Sequence, residues 1–253
     1  MGGRLSVFRI VAGSFEYPWR HRAAFARATA VPALTMIACT LVGDVAARSG
    51  SAALAWLVYG AYIAVCCWIA VVCHRLVLMS PADGNAFAGS GGSTRLVLFL
   101  AAVICIAAVY FAVFLGIANL LAITIGWRYT PAGTPPRESA YFFGGLLWVS
   151  QITALYVSAR LALTLPAIAT DQGFSFRQAW IHSRRNGWRL ALVVFGLPWL
   201  LARLAELLAR DGATPVETAV LLVLGVVLLI IEVVALSLSF YDLTALPPAH
   251  PPG

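Results

Sequence analysis

From Leu96 to Ile125 the chain runs thirty residues without a formal charge. A helix needs about 20 apolar residues to cross the hydrocarbon of a bilayer. Few or no polar side chains here could hold such a run in water, so the stretch predicts a membrane span. It is too long for one perpendicular crossing. It must tilt, bend near Gly116 or extend beyond the bilayer. Two spans cut from it would be about fifteen residues each, short of the crossing length, so a single span is preferred. Trp127 and Tyr129 follow as interfacial markers.

The rest of the 253-residue chain has the same character. It is 61% hydrophobic and 11% charged, with mean hydropathy +0.89. Soluble domains carry about a quarter charged residues, so lipid must solvate much of this one. Further apolar runs lie at about 25–45, 52–73, 140–159, 190–208 and 215–241. The expected fold is all-α: one domain over 1–245, a bundle of six spans arranged as three helical hairpins. Pro215 suits the first turn of the last span. The Pro-rich tail, 246–253, is expected to be disordered. Arg4, Arg9, Arg20 and Arg22 are spread without a compact apolar segment, unlike a cleavable signal peptide, so the first span is expected to stay in the membrane.

The joints between the runs are basic. All 17 basic residues are arginine, and the formal charge is +7. The guanidinium fork suits phosphate headgroups, although the lack of lysine also follows from a GC-rich coding bias. This balance points to an anionic bilayer surface and away from nucleic acid. The segment from Ala159 to Leu190 organises the chain. It is the longest interruption between apolar runs and holds Arg160, Arg177, Arg184, Arg185 and Arg189. Ser175 is placed to cap a helix from Phe176 to about Arg185, with Phe176, Ala179, Trp180 and Ser183 on one face. Residues 1–24 interleave apolar and basic residues in the same way. Amphipathic interfacial helices are therefore expected before spans 1 and 5, the first broken at Pro18.

With the N-terminus inside, the cytoplasmic segments collect 12 of the 17 arginines. The positive-inside rule then puts both termini in the cytoplasm. Two patterns recur. Arg75–Pro81 and Arg160–Pro166 share R-L-x-L-x-x-P, each closing an even-numbered span. Ser14–His21 and Ser175–His182 share S-F-x-x-x-W-x-H, each preceding an odd-numbered span. They suggest parallel repeated hairpins.

Few polar groups fall within the runs. Glu232 lies about nine residues from the end of span 6, where a charge costs at least about 2.5–3.5 kcal/mol on insertion scales. It is expected to be protonated, paired or beside water. Arg160, at the inner end of span 4, is its candidate partner. Together they form a candidate intramembrane polar site, either a proton or substrate site or a structural pair. Asp44, Arg203 and Glu206 sit toward outer ends and suit solvated or snorkelling roles, with Arg203 and Glu206 spaced to pair. Ser150, Gln151, Ser158 and Asn119 are candidates for hydrogen bonds between helices. Arg177, Arg184, Arg185 and Arg189 are the candidate contacts to anionic lipid, against a purely topogenic role. The four histidines show no metal-ligand spacing, and the five cysteines no CxxC pair. No nucleophile elbow, HExxH or P-loop is present. No catalytic, metal or cofactor site is expected, and the chain is not expected to be an enzyme.

At HRLVL after span 2, at RLALTLPAIATDQGFSFRQAWIHSRRNGWRL, and at LSLSFYDLT after span 6, the chain resembles an uncharacterised family of six-span bacterial inner-membrane proteins. That family is related to the membrane domain fused to some glycerophosphodiester phosphodiesterases. The likeness covers nearly the whole chain, and its motifs are largely topogenic. It implies a multi-pass inner-membrane fold with a link to lipid metabolism. The fused enzymes carry their acidic and histidine residues on a separate soluble barrel. This chain lacks that barrel, so the phosphodiester chemistry does not transfer. The function expected is a non-enzymatic role in envelope or lipid homeostasis. The alternative is a small transporter or flippase-like carrier using Glu232 and Arg160.

Overall fold

A computed structural model of the chain describes residues 5–79, 92–124, 137–173, 175–208 and 215–244. Those residues are helical, with no strand among them. The tail, Trp127 and Tyr129 lie outside the described residues. The order is α1 (Val7–Arg20), α2 (Arg22–Arg48), α3 (Ala52–Leu78), α4 (Gly92–Thr124), α5 (Arg137–Ala162), α6 (Thr164–Ala169), α7 (Phe176–His182), α8 (Gly187–Ala191), α9 (Leu197–Leu208) and α10 (Pro215–Thr244). A π-helical turn, Leu192–Gly196, joins α8 to α9.

Five helices are long and apolar enough to cross a membrane: α2, α3, α4, α5 and α10. Each begins at or before its expected span, and all but α4 run past its expected end. Helix α3 begins at Ala52, the expected start, where Ser51 caps it, but continues past Cys73 to Leu78. The long uncharged run forms one helix, α4, unbroken at Gly116. Expected span 5 is the exception. Its apolar part is a shorter helix, Gly187–Leu201, interrupted by the π turn. Pro198 supplies the reason. It has no N–H for the Val194 carbonyl and its ring crowds that carbonyl. Widening the turn lets the Leu197 N–H reach back to Leu192 instead.

Two other prolines act differently. Pro18 lies inside α1, which runs on to Arg20 and ends at His21. The expected break at Pro18 does not occur: the lost N–H and the crowded carbonyl fall in the last turn, where only Trp19 and Arg20 remain to be displaced. Pro166 sits in the first turn of α6, where its missing N–H would be unpaired anyway. It cannot donate to Ala162, which is where α5 stops.

Helix α2 packs along α3, α4 along α5, and α10 against α1, α3 and the helix from Gly187 to Leu208. Among the described residues, burial is concentrated at one end of this assembly. In α3 it runs from Val65 to Leu76, in α10 from Val226 to Leu243, and in α5 from Ser150 to Ala162. Phe25 and Thr29 at the start of α2 and Phe99 near the start of α4 join it. Elsewhere large apolar side chains stand exposed, among them Leu41, Val45, Trp56, Leu57, Leu115, Leu120, Ile123, Trp148 and Val223. This suits a lipid-facing surface, where hydrocarbon solvates apolar side chains as well as a core does.

Candidate functional site

The packed end is tied together by the segment Ala159–Leu190, onto which polar groups from distant helices converge. Arg160, in the last turn of α5, is only 5% exposed. Its Nε donates to Ser183 Oγ at 2.9 Å and its Nη2 to the Trp180 carbonyl at 2.5 Å. Ser183 passes its own hydrogen to the Ala179 carbonyl at 2.8 Å. The guanidinium lies 3.5 Å from the centre of the Trp180 ring and 5.7 Å from that of Tyr156. Stacking on aromatic faces stabilises a desolvated cation by about 2 kcal/mol. Arg160 thus clamps α5 to α7.

Helix α7 is shaped for that role. Ser175 caps it, and Gln178 completes a reciprocal capping box. It stops at His182, short of the expected Arg185, and Ser183–Asn186 turns the chain into α8. The next residue, Gly187, lies against Tyr156: a Cβ there would meet the ring at 2.7 Å. Glycine is needed because backbone and ring touch, with no special dihedral involved.

The N-terminal helix is held by its first peptide groups. The Leu5 N–H donates to Asn186 Oδ1 and the Leu5 carbonyl accepts from Arg189 Nη1, both at 2.9 Å. Further along, Arg9 pairs with Asp242 of α10. The Tyr17 hydroxyl donates to the Leu76 carbonyl at 3.1 Å. Burial raises the Tyr17 phenol above its ordinary value, so it remains a donor through neutral pH.

Two further links close the end. His74 and Ser237 are buried, with His74 Nδ1 2.7 Å from Ser237 Oγ. Ser237 donates its single hydrogen to the Val233 carbonyl at 2.8 Å, which makes Nδ1 the donor to the hydroxyl. Arg75, at the end of α3, reaches the Ala169 carbonyl at 3.1 Å and Asp171 Oδ2 at 3.4 Å. Arg95, in the first turn of α4, donates its Nε to Asp171 Oδ1 at 2.6 Å. Asp171 has φ 58°, the one positive φ outside glycine among the described residues. Aspartate is among the residues that tolerate this region.

The expected site residues are therefore placed unevenly. Arg160 and Glu232 are not brought together: Arg160 is engaged by α7. Glu232 lies partly buried on α10, with no hydrogen bond or ion pair among the described residues. Arg177, Arg184 and Arg185 are exposed, whereas Arg189 is bound to the Leu5 carbonyl and stacks near Trp188. Gln151 does bond between helices, accepting from the Tyr110 hydroxyl at 2.7 Å. Asn119 and Ser150 do not; each donates to a carbonyl of its own helix. Ser158 Oγ is buried without a partner among the described residues. The side chains of Asp44 and Glu206 lie outside the described residues. Arg203 is exposed beside Trp199.

The recurrent motifs diverge in role. Ser175 caps a helix, but Ser14 is buried inside α1 and donates to the Val11 carbonyl. Arg75 and Arg160 share more: each leaves the end of a long helix to bind a carbonyl of the 159–190 segment. The residue missed by sequence reasoning is Asp171. It is the sole acid in that segment, followed two residues later by glycine, which marks it as a turn carboxylate in reach of nearby arginines. No family model, curated protein or solved structure matches the chain.

Proposed function

We propose that the protein is a six-span integral membrane protein of the bacterial inner membrane, with both termini cytoplasmic. In this reading the segment 187–208, π turn included, is the fifth of six spans, and the spans form three hairpins. The arginine-rich packed end lies at the cytoplasmic headgroups. Its role is non-enzymatic, in envelope or lipid homeostasis, through helix packing and contact with anionic lipid by Arg177, Arg184 and Arg185. The lipid link implied by the family resemblance belongs to the same proposal. The observation that carries it is the convergence of Arg75, Arg95, Arg160 and Arg189 on one end of an otherwise apolar helical assembly. Anionic headgroups and cytoplasmic retention both favour that distribution.

The carrier reading, with Glu232 and Arg160 on an internal path, is the weaker of the two, because the donors and ring contacts of Arg160 bind α7. Reporter fusions test the orientation. A cytoplasm-active reporter inserted at Gly173 should be active and a periplasm-active one silent, with the opposite result at Ser49. Periplasmic activity at Gly173 removes the proposal.

A further inference from the structure

We propose that Arg75 and Arg95 form a binding site for a phosphate oxyanion, with Asp171 as its built-in competitor. Among the described residues two guanidiniums meet one carboxylate here, an excess of one positive charge. Each guanidinium gives the carboxylate one N–H, so neither makes the bidentate fork that arginine makes with a well-matched anion. Arg75 Nε is buried and has no partner among the described residues. Donors therefore outnumber acceptors.

The arginines are also the more buried members of the cluster. Their side chains are 11% and 20% exposed, against 49% for Asp171. The Ala169 carbonyl at the end of α6 holds Arg75 from a second direction. Arg95 lies in the first turn of α4, the positive end of a 33-residue helix with no acidic residue in that turn. A cation at such an end calls for an anion. Asp171 supplies one from an exposed turn. When it rotates to water, the two guanidiniums lack a counter-ion. A phosphate group, with several anionic and acceptor oxygens, matches both forks at once.

The phosphate can come from an anionic phospholipid headgroup or from free phosphate. The lipid source rests on the headgroup reading above; the oxyanion chemistry does not. The test uses the full chain in neutral detergent, titrated with short-chain phosphatidylglycerol, phosphatidylcholine and inorganic phosphate, with bound ligand read by native mass spectrometry. Wild type should prefer phosphatidylglycerol to phosphatidylcholine. Arg95→Gln should weaken phosphatidylglycerol about tenfold or more, as one charge-assisted hydrogen bond implies. Asp171→Asn should tighten it about threefold to tenfold, because the competing state is removed. Gain on losing a carboxylate separates a competitor from a structural bridge. Should Arg75→Gln fail to fold, Arg95→Gln and Asp171→Asn carry the test.

Inorganic phosphate that displaces phosphatidylglycerol at equal concentration identifies free phosphate as the source; failure to displace identifies lipid. Binding unchanged in Arg95→Gln, or weakened in Asp171→Asn, overturns the site. Binding lost in an Arg177→Gln, Arg184→Gln, Arg185→Gln triple variant but kept in Arg95→Gln also overturns it, and leaves the broader headgroup reading standing.

Discussion

The two ends of the molecule solve the same problem with different chemistry. At one end, helices α1, α3, α4, α5, α7 and α10 are stitched through side-chain bonds to backbone carbonyls, a buried His–Ser pair and a cation stacked on tryptophan. Toward the other, α4 shows Phe111, Leu115, Leu120 and Ile123 on its surface, and α2 and α3 show Val45 and Trp56. An apolar side chain gains little from leaving lipid for another helix, because both are hydrocarbon. Specific polar contacts are then what can define a unique packing. Among the described residues they are concentrated at the packed end and sparse where apolar side chains stand exposed.

The largest expected effect breaks that contrast from the exposed side. Phe111, near the middle of α4, is 59% exposed. Phe111→Arg should shift insertion against the membrane by about 2.5–3.5 kcal/mol, more than a hundredfold in the insertion equilibrium at the upper end. Membrane fractionation and an insertion assay would read it. If the variant inserts normally, or is more soluble and better folded, that surface faces water and the comparison collapses.

From the packed side, Arg160→Ala should destabilise by about 3 kcal/mol, less than the sum of its charge-assisted hydrogen bonds and cation–π contact because burying the guanidinium costs part of that gain. Gly187→Ala should cost about 2 kcal/mol, since its Cβ would push the Tyr156 ring from its place beside Arg160. Reversible unfolding of the detergent-solubilised protein measures both. The two sites share neighbours, so their double variant should cost less than the sum. Additive losses would mean that glycine and arginine act independently, and the clamp would be two contacts, not one. Ser237→Ala should cost about 1 kcal/mol by leaving the His74 donor unmet.

These contacts also mark where sequence reasoning stops. The uncharged runs located the long helices, and Ser175 and Pro215 placed two helix starts. The 159–190 segment was legible as the joint of the chain because charge interrupts apolarity there. What the sequence could not fix was rotation. Helices α3 and α10 are apolar around most of their circumference, so no polar stripe says which way Glu232 or His74 turns. Glu232 and Arg160 were matched by charge and depth alone, and a helix rotation sends Arg160 to Trp180 instead. Links made by backbone atoms, such as Leu5 to Asn186 and Arg189, carry no side-chain signature to read. The π turn is intermediate: Pro198 announces strain, but not whether the helix kinks, ends or widens.

The smallest expected effect sharpens the comparison most. Leu120 and Leu163 are the same residue type in opposite settings, 60% and 0% exposed. In a water-soluble protein an exposed leucine would be a liability and its replacement neutral or favourable. Here lipid fills the space vacated by Leu120→Ala, so unfolding free energy should move by less than about 0.5 kcal/mol. Leu163→Ala leaves a void between packed helices that lipid cannot enter, with an expected cost of about 2–3 kcal/mol. Equal losses would show that α4 packs against protein along the face that carries Leu120, and the division between a stitched end and a lipid-solvated one would have to be redrawn around that helix.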